Sequence, residues 1–191
     1  PLLCAGVTTY NALRNADLQP GDLVAVQGIG GLGHLGVQYA HAAGYETVAV
    51  SRSPDKEPLA TDLGADHFVD ASETDPAAAL QALGGADAVL ATAPSSKAIA
   101  SVVGGIGADG SVIVVGVPGE SVAVDAQHLI GTAGAVEGWG SGDARDSQDT
   151  LEFSSLRAVT PEVERFSLDD VEAAYDRMID NEARFRVVLE P

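Results

Sequence analysis

Cysteine is nearly absent: Cys4 stands alone, which rules out an intramolecular disulfide and points to a reducing, cytoplasmic setting. Lysine is almost as scarce, since only Lys56 and Lys97 occur and the rest of the ten basic residues are arginines. No apolar run reaches the roughly 18–20 residues that a bilayer-crossing helix needs. A charged-then-apolar secretory leader is also missing, although the chain opens at Pro1 rather than at a methionine. Positive charge is the largest deficit. Twenty-eight acidic residues face ten basic ones, for a formal net charge of -18. Such a chain repels polyanions, so neither nucleic acid nor an anionic membrane is an expected partner. Two origins fit the acidity: a GC-rich coding bias, or adaptation to concentrated salt, in which acidic surfaces stay soluble. The excess of Asp over Glu and the shortage of lysine favour the halophilic origin.

Several chemistries lack their residues as well. No Gly-x-Ser-x-Gly elbow lies on a strand-to-helix turn, and no Lys-Ser/Thr pair closes the glycine loop, so a serine nucleophile and a P-loop are both excluded. His41, His67 and His128 have no carboxylate or cysteine at metal-ligand spacing.

What the chain does have is the run Gly28-Ile29-Gly30-Gly31-Leu32-Gly33-His34, placed between the apolar strand Leu23–Gln27 and an apolar helix pattern. Each glycine has a separate task. Gly28 permits a tight turn, Gly30 lets a phosphate approach the backbone, and Gly33 lets the helix pack close on the strand. Amides at the start of that helix face an anion, assisted by the helix dipole. A dinucleotide is the expected ligand.

The organisation around the run supports this. Further apolar strands are predicted at Thr47–Val50, His67–Val69, Ala86–Ala91, Ser111–Val117 and Ala133–Glu137. Helix patterns fall between them at Gly33–Ala43, Asp55–Leu63, Asp75–Leu83, Ser96–Gly104 and Ala126–Ile130, with glycines and prolines at the junctions. Near-continuous apolar strands imply helices on both faces of a parallel sheet. The predicted fold class is therefore α/β, a Rossmann-type doubly wound sheet of six parallel strands. Beyond Trp139 the expectation is a helix from Asp143 with Leu151, Phe153 and Leu156 on its buried face. A helix over Leu168–Asp180, capped by Ser167 or Asp169, and a closing strand Arg184–Leu189 follow.

Taken together, these segments resemble the second half of a medium-chain, zinc-type alcohol dehydrogenase, with microbial and cinnamyl-alcohol-dehydrogenase-like members most alike. The resemblance rests on Pro1–Tyr10 (PLLCAGVTTY), Gln19-Pro20-Gly21-Asp22, the glycine run through His34, Leu63-Gly64-Ala65-Asp66, Val115-Gly116-Val117 and Arg184–Val188. It implies an interdomain hinge over residues 1–13, a dinucleotide-binding domain over 14–142, and a connecting helix with a return to a GroES-like catalytic domain over 143–191. That catalytic domain, which would precede Pro1, is expected to be missing from the chain. The resemblance also implies hydride transfer between NADP(H) and a primary alcohol or aldehyde, zinc in the full-length enzyme, and a homo-oligomer paired near Ala133–Trp139. No catalytic residue is assigned within the chain itself, and the isolated chain is expected to be inactive.

Site expectations follow residue by residue. Cys4 matches the zinc thiolate; its alternative is a small buried apolar residue. Thr8 matches a position against the nicotinamide. Gly28, Gly30, Gly31, Leu32 and Gly33 would hold the pyrophosphate. The second strand ends in Ser51, where NAD enzymes carry a carboxylate on the adenosine ribose. A serine there does not repel a 2′-phosphate, and Arg52, with Ser53 and Lys56, can bind one, so NADP(H) is favoured over NAD(H). Thr92, Val115, Gly116 and Val117 would meet the nicotinamide ribose and carboxamide, and Arg186 would reach back to the pyrophosphate. His34 is assigned no catalysis, Arg184 is read as a surface ion pair, and Trp139 as packing or a subunit contact. Two alternatives remain: a zinc-independent quinone oxidoreductase, against which Cys4 and the His34-ending run argue, and a nucleotide-binding module without chemistry.

Overall fold

The computed structural model describes residues 1–180 and 182–191. Its centre is a sheet of six parallel strands: β1 (Leu23–Gln27), β2 (Glu46–Ser51), β3 (His67–Asp70), β4 (Ala86–Ala91), β5 (Ile106–Val114) and β6 (Ala135–Gly138). Their order is β3-β2-β1-β4-β5-β6, so the chain reverses its direction of travel between β1 and β4. A crevice therefore opens there, outside the carboxyl ends of the strands.

Alternation along the strands sorts the core into two layers. Val24, Val26, Ala49, Ala88, Leu90 and Ile113 face one side and meet Leu35 and Tyr39 of α2 (Gly33–Ala43) and Leu13 of α1 (Val7–Asn15). Leu23, Ala25, Val48, Val50, Val89 and Ala91 face the other, under Leu80 of α4 (Pro76–Ala82) and Ile99, Val102 and Val103 of α5 (Ser96–Val103). Every residue of β1 is buried, as a central strand covered on both faces requires. The remaining crossovers carry α3 (Glu57–Asp62), entered through a 3-10 turn at Pro54–Lys56, and α6 (Ala126–Thr132).

The ends of the chain differ more from expectation. Leu2–Gly6 forms a π-helical turn that runs into α1, so the segment read as a hinge is largely helical, with Ala5, Val7, Ala12 and Leu13 buried. Strand β5 starts earlier and stops earlier than Ser111–Val117. After Val114 the amides of Val115 and Gly116 both donate to the Ala91 carbonyl, which turns the chain away from the ladder.

Helix α7 (Ala144–Arg157) opens with Asp143 and Asp146 in a reciprocal capping box. Its inner face is polar rather than the expected leucine stripe: Thr150 and Ser154 are buried, Phe153 is partly so, while Leu151 and Leu156 are exposed. The reason is the partner surface. Tyr39 hydrogen-bonds the Ser154 hydroxyl at 2.8 Å, and Tyr10, Tyr39 and Phe153 form one aromatic cluster.

Beyond Pro161 a second, two-stranded parallel sheet joins β7 (Val163–Ser167) to β8 (Arg186–Glu190), with α8 (Val171–Ile179) between them. Ser167 caps the 3-10 turn that leads into α8. Strand β7 was not expected, since Val-Glu-Arg-Phe-Ser has no apolar run to reveal it. Of the apolar residues on α8 only Ala174 is buried; Val171, Tyr175, Met178 and Ile179 are exposed.

Candidate functional site

The glycine turn joins β1 to α2. Gly28 has φ +92°, a left-handed conformation that a Cβ would strain, and its amide donates to the Val50 carbonyl at 2.9 Å. A Cβ on Gly33 would stand 1.8 Å from the Gly28 carbonyl oxygen, so only glycine lets the helix start this close to the strand. Gly30 differs: a Cβ there would meet nothing within 4 Å and would project into open space. The start of α2 carries no capping side chain and no acidic residue in its first turn. The His34 amide donates to the Gly30 carbonyl and the Leu35 amide to the Leu32 carbonyl, so the amides that can receive an anion are those of Leu32 and Gly33 just before them.

Thr92, just beyond β4, fastens this turn. Its amide donates to the Gln27 carbonyl at 2.9 Å, and its hydroxyl lies 3.0 Å from Gln27 O and 2.6 Å from Gly28 O. Ser51 Oγ accepts from the Ser53 amide at 3.1 Å and so shapes the loop that carries Arg52. Lys56 is half-buried, donates to the Ile29 carbonyl at 2.7 Å and lies 5.6 Å over the Phe185 ring. Burial, and then the charge of Arg184, holds its pKa below the usual lysine range.

These parts enclose a cleft of about 720 Å³ at the β1/β4 switch point. Gly28, Gly30, Gly31, Leu32, Ser51, Arg52, Ser53, Lys56 and Thr92 all line it, together with Gln27, Ala71, Pro76, Ser95, Lys97, Ala98 and Ser101. Its lining holds three cations, Arg52, Lys56 and Lys97, and no carboxylate, in a chain of net charge -18. Both lysines of the chain are at this one place.

Arg186 on β8 closes the turn from the far side: its Nε donates to the Gly31 carbonyl at 3.1 Å. Arg184 instead pairs with Asp55 at 3.2 Å on the surface. His34, fully buried, links the turn to the C-terminal segment. Its Nδ1 lies 2.9 Å from the Gly30 carbonyl and its Nε2 accepts from the Glu162 amide at 3.2 Å, while the ring stacks on Phe185. A carbonyl on one nitrogen and an amide N–H on the other require a neutral ring protonated on Nδ1. Burial, reinforced by the charge of Arg186, brings its pKa down to about 4.

Other expected site residues lie outside the cleft lining. Thr8 is half-buried near the start of α1, Val115 packs on the core, Gly116 sits against the Thr92 carbonyl, and Val117 is exposed. Cys4 is exposed rather than buried, and among the described residues no three His, Cys, Asp or Glu side chains gather to hold a metal. A zinc ion needs three protein ligands in a catalytic site, so these residues alone do not fit one. Gln27 and Lys97 were missed. Lys97 could have been found from its rarity and its place just after β4, on the edge that lines the crevice.

Comparison with known proteins agrees with this geometry. A zinc-binding dehydrogenase family model matches residues 31–155. An alcohol dehydrogenase of Penicillium expansum is 42% identical over 189 residues, which cover 99% of this chain and 55% of the relative. The structure of a cinnamyl alcohol dehydrogenase of Sorghum bicolor superposes with a TM-score of 0.89 at 34% identity, over 99% of this chain and 54% of that one. A Helicobacter pylori CAD complexed with NADP(H) superposes with a TM-score of 0.82 at 27% identity, over 99% of this chain and 53% of that one. The chain thus spans about half the length of the curated relatives it matches. It belongs to the zinc-binding dehydrogenase family, and it corresponds to the cofactor-binding half of the family's alcohol dehydrogenases.

Proposed function

We propose that this chain is the NADP(H)-holding half of an alcohol dehydrogenase that moves hydride between the nicotinamide and a primary alcohol or aldehyde. The supporting observation is the gathering of both lysines and Arg52 around a cleft without a carboxylate, on a protein of net charge -18. An anionic ligand is the reason for such a concentration of scarce cations.

The parts divide the cofactor among them. The open space at Gly30 and the uncapped start of α2 suit the pyrophosphate, with Arg186 across the turn. At the end of β2 neutral Ser51, with exposed Arg52 and half-buried Lys56 nearby, suits a 2′-phosphate better than two ribose hydroxyls. The Helicobacter relative with NADP(H) is in line with this, and NAD(H) is the less favoured cofactor. When bound, the nicotinamide supplies or takes up the hydride; this chain binds and orients it. Cys4 is proposed as one zinc ligand of the longer enzyme. Without the other ligands the chain binds cofactor but does not turn over. Substrate partners are small alcohols or aldehydes, and subunits pair along the β6 edge.

A Ser51→Asp variant tests the phosphate assignment. A carboxylate facing the 2′-phosphate should weaken NADPH binding by roughly tenfold or more while sparing NADH. Unchanged NADPH affinity would remove the 2′-phosphate from this end of β2.

A further inference from the structure

Among the described residues only two buried side-chain polar atoms lack a hydrogen-bond partner, His128 Nε2 and Gln27 Oε1, and Gln27 lines the cleft. Gln27 is the last residue of a strand that is otherwise Leu-Val-Ala-Val, and it is only 7% exposed. Its backbone is held on both sides, paired with Val50 of β2 and Ala91 of β4, and its carbonyl receives both Thr92 donors. The backbone therefore cannot shift, and only rotation about the side-chain torsions can turn the amide toward a partner in the cleft. Strand alternation puts it on the same face as Leu23 and Ala25, toward α4 and α5, where Pro76, Ala98 and Ser101 form the wall.

Phe185, next to Arg186, belongs to the other core layer. A phosphate offers acceptors only and cannot satisfy an orphaned carbonyl oxygen. The small, mainly apolar wall suits a flat ring. A buried acceptor left unmade costs its full desolvation, so an amide at this strand end makes physical sense if a ligand completes it.

We propose that Gln27 reads the base of the dinucleotide: its carbonyl accepts from the 6-amino group of adenine while its NH2 donates to N7. An amide side chain pairs with adenine in this bidentate way. Hypoxanthine presents acceptors at both positions and leaves the Gln27 carbonyl unsatisfied. The inference rests on the dinucleotide function proposed above and extends it to the base.

The test is a cycle of four titrations: wild type and Gln27→Leu, each with NADPH and with the deaminated, hypoxanthine-containing analogue. Thermal melting of both proteins without ligand completes it. The wild type is expected to bind NADPH roughly tenfold tighter than the analogue. Gln27→Leu should bind both alike, at the weaker level, and should melt no lower than wild type because a buried orphan has been removed. A wild type without base preference, or a variant that keeps it, overturns the proposal. So does a melting temperature that falls in both Gln27→Leu and the near-isosteric Gln27→Met, since the amide would then be structural. Failure of the wild type to bind either dinucleotide would strike the cofactor function itself, and is a separate outcome from loss of base preference alone.

Discussion

Neutral His34 ties the glycine turn to the C-terminal segment through one bond on each ring nitrogen. Protonating Nε2 would set two N–H groups against each other at Glu162. Its folded-state pKa of about 4 lies below the 6.5 of an ordinary histidine, so the unfolded chain takes up this proton first. Stability from this group is complete above about pH 6.5 and falls as pH drops toward 4, by about 3 kcal/mol in all. Urea unfolding of wild type and His34→Asn between pH 7.5 and 4.5 checks this: the variant should be weaker at neutral pH but lose less stability on acidification. Parallel pH profiles would contradict it. At this scale the sequence was partly legible. Gly28, Gly33, Ser51 and Lys56 announce themselves by spacing, because backbone conformation and strand ends constrain which residue types fit. Gln27 does not, since one amide closing an apolar strand looks like an ordinary strand end until its oxygen is found without a partner.

The β1–turn–α2 element separates two uses of glycine, and single substitutions distinguish them. Gly33→Ala drives a methyl into the Gly28 carbonyl and should cost about 3 kcal/mol or more. Gly30→Ala meets no protein atom within 4 Å, so unfolding stability should change by no more than about 0.5 kcal/mol. The same methyl occupies space assigned to the pyrophosphate and should weaken NADPH binding by about tenfold or more. Equal effects of the two variants on folding would contradict this division. Strands β1, β2 and β4 were legible because each is a short apolar run closed by a breaker and buried on both faces, whereas β3 and the edge strand β6 are only partly covered. Strand β7 and the inner face of α7 were not. Among the described residues strand β7 pairs only with β8 and carries two charges in five residues, and α7 meets the Tyr39 hydroxyl through Ser154 while Thr150 bonds back to Asp146, so neither carries an apolar signature.

The whole molecule sets strong self-repulsion against a small cationic cleft. With a net charge of -18, screening should matter: the Debye length shrinks from about 10 Å at 0.1 M salt to about 3 Å at 1 M. If the acidity is halophilic, the melting temperature should rise by several degrees, roughly 5 or more, between those conditions. A melting temperature indifferent to salt favours coding bias instead. Composition made the charge visible, but not where the few cations go. Their convergence depends on β2, the loop after it and α5 meeting at one edge of the sheet, which is a property of the strand order. The ligand proposed for this convergence is a phosphorylated nicotinamide dinucleotide. Parallel fluorescence titrations of the chain with NADPH and NADH test it most directly. Both should bind saturably, with NADPH tighter by about tenfold or more; NADH binding as tightly as NADPH, or neither binding, would overturn the assignment.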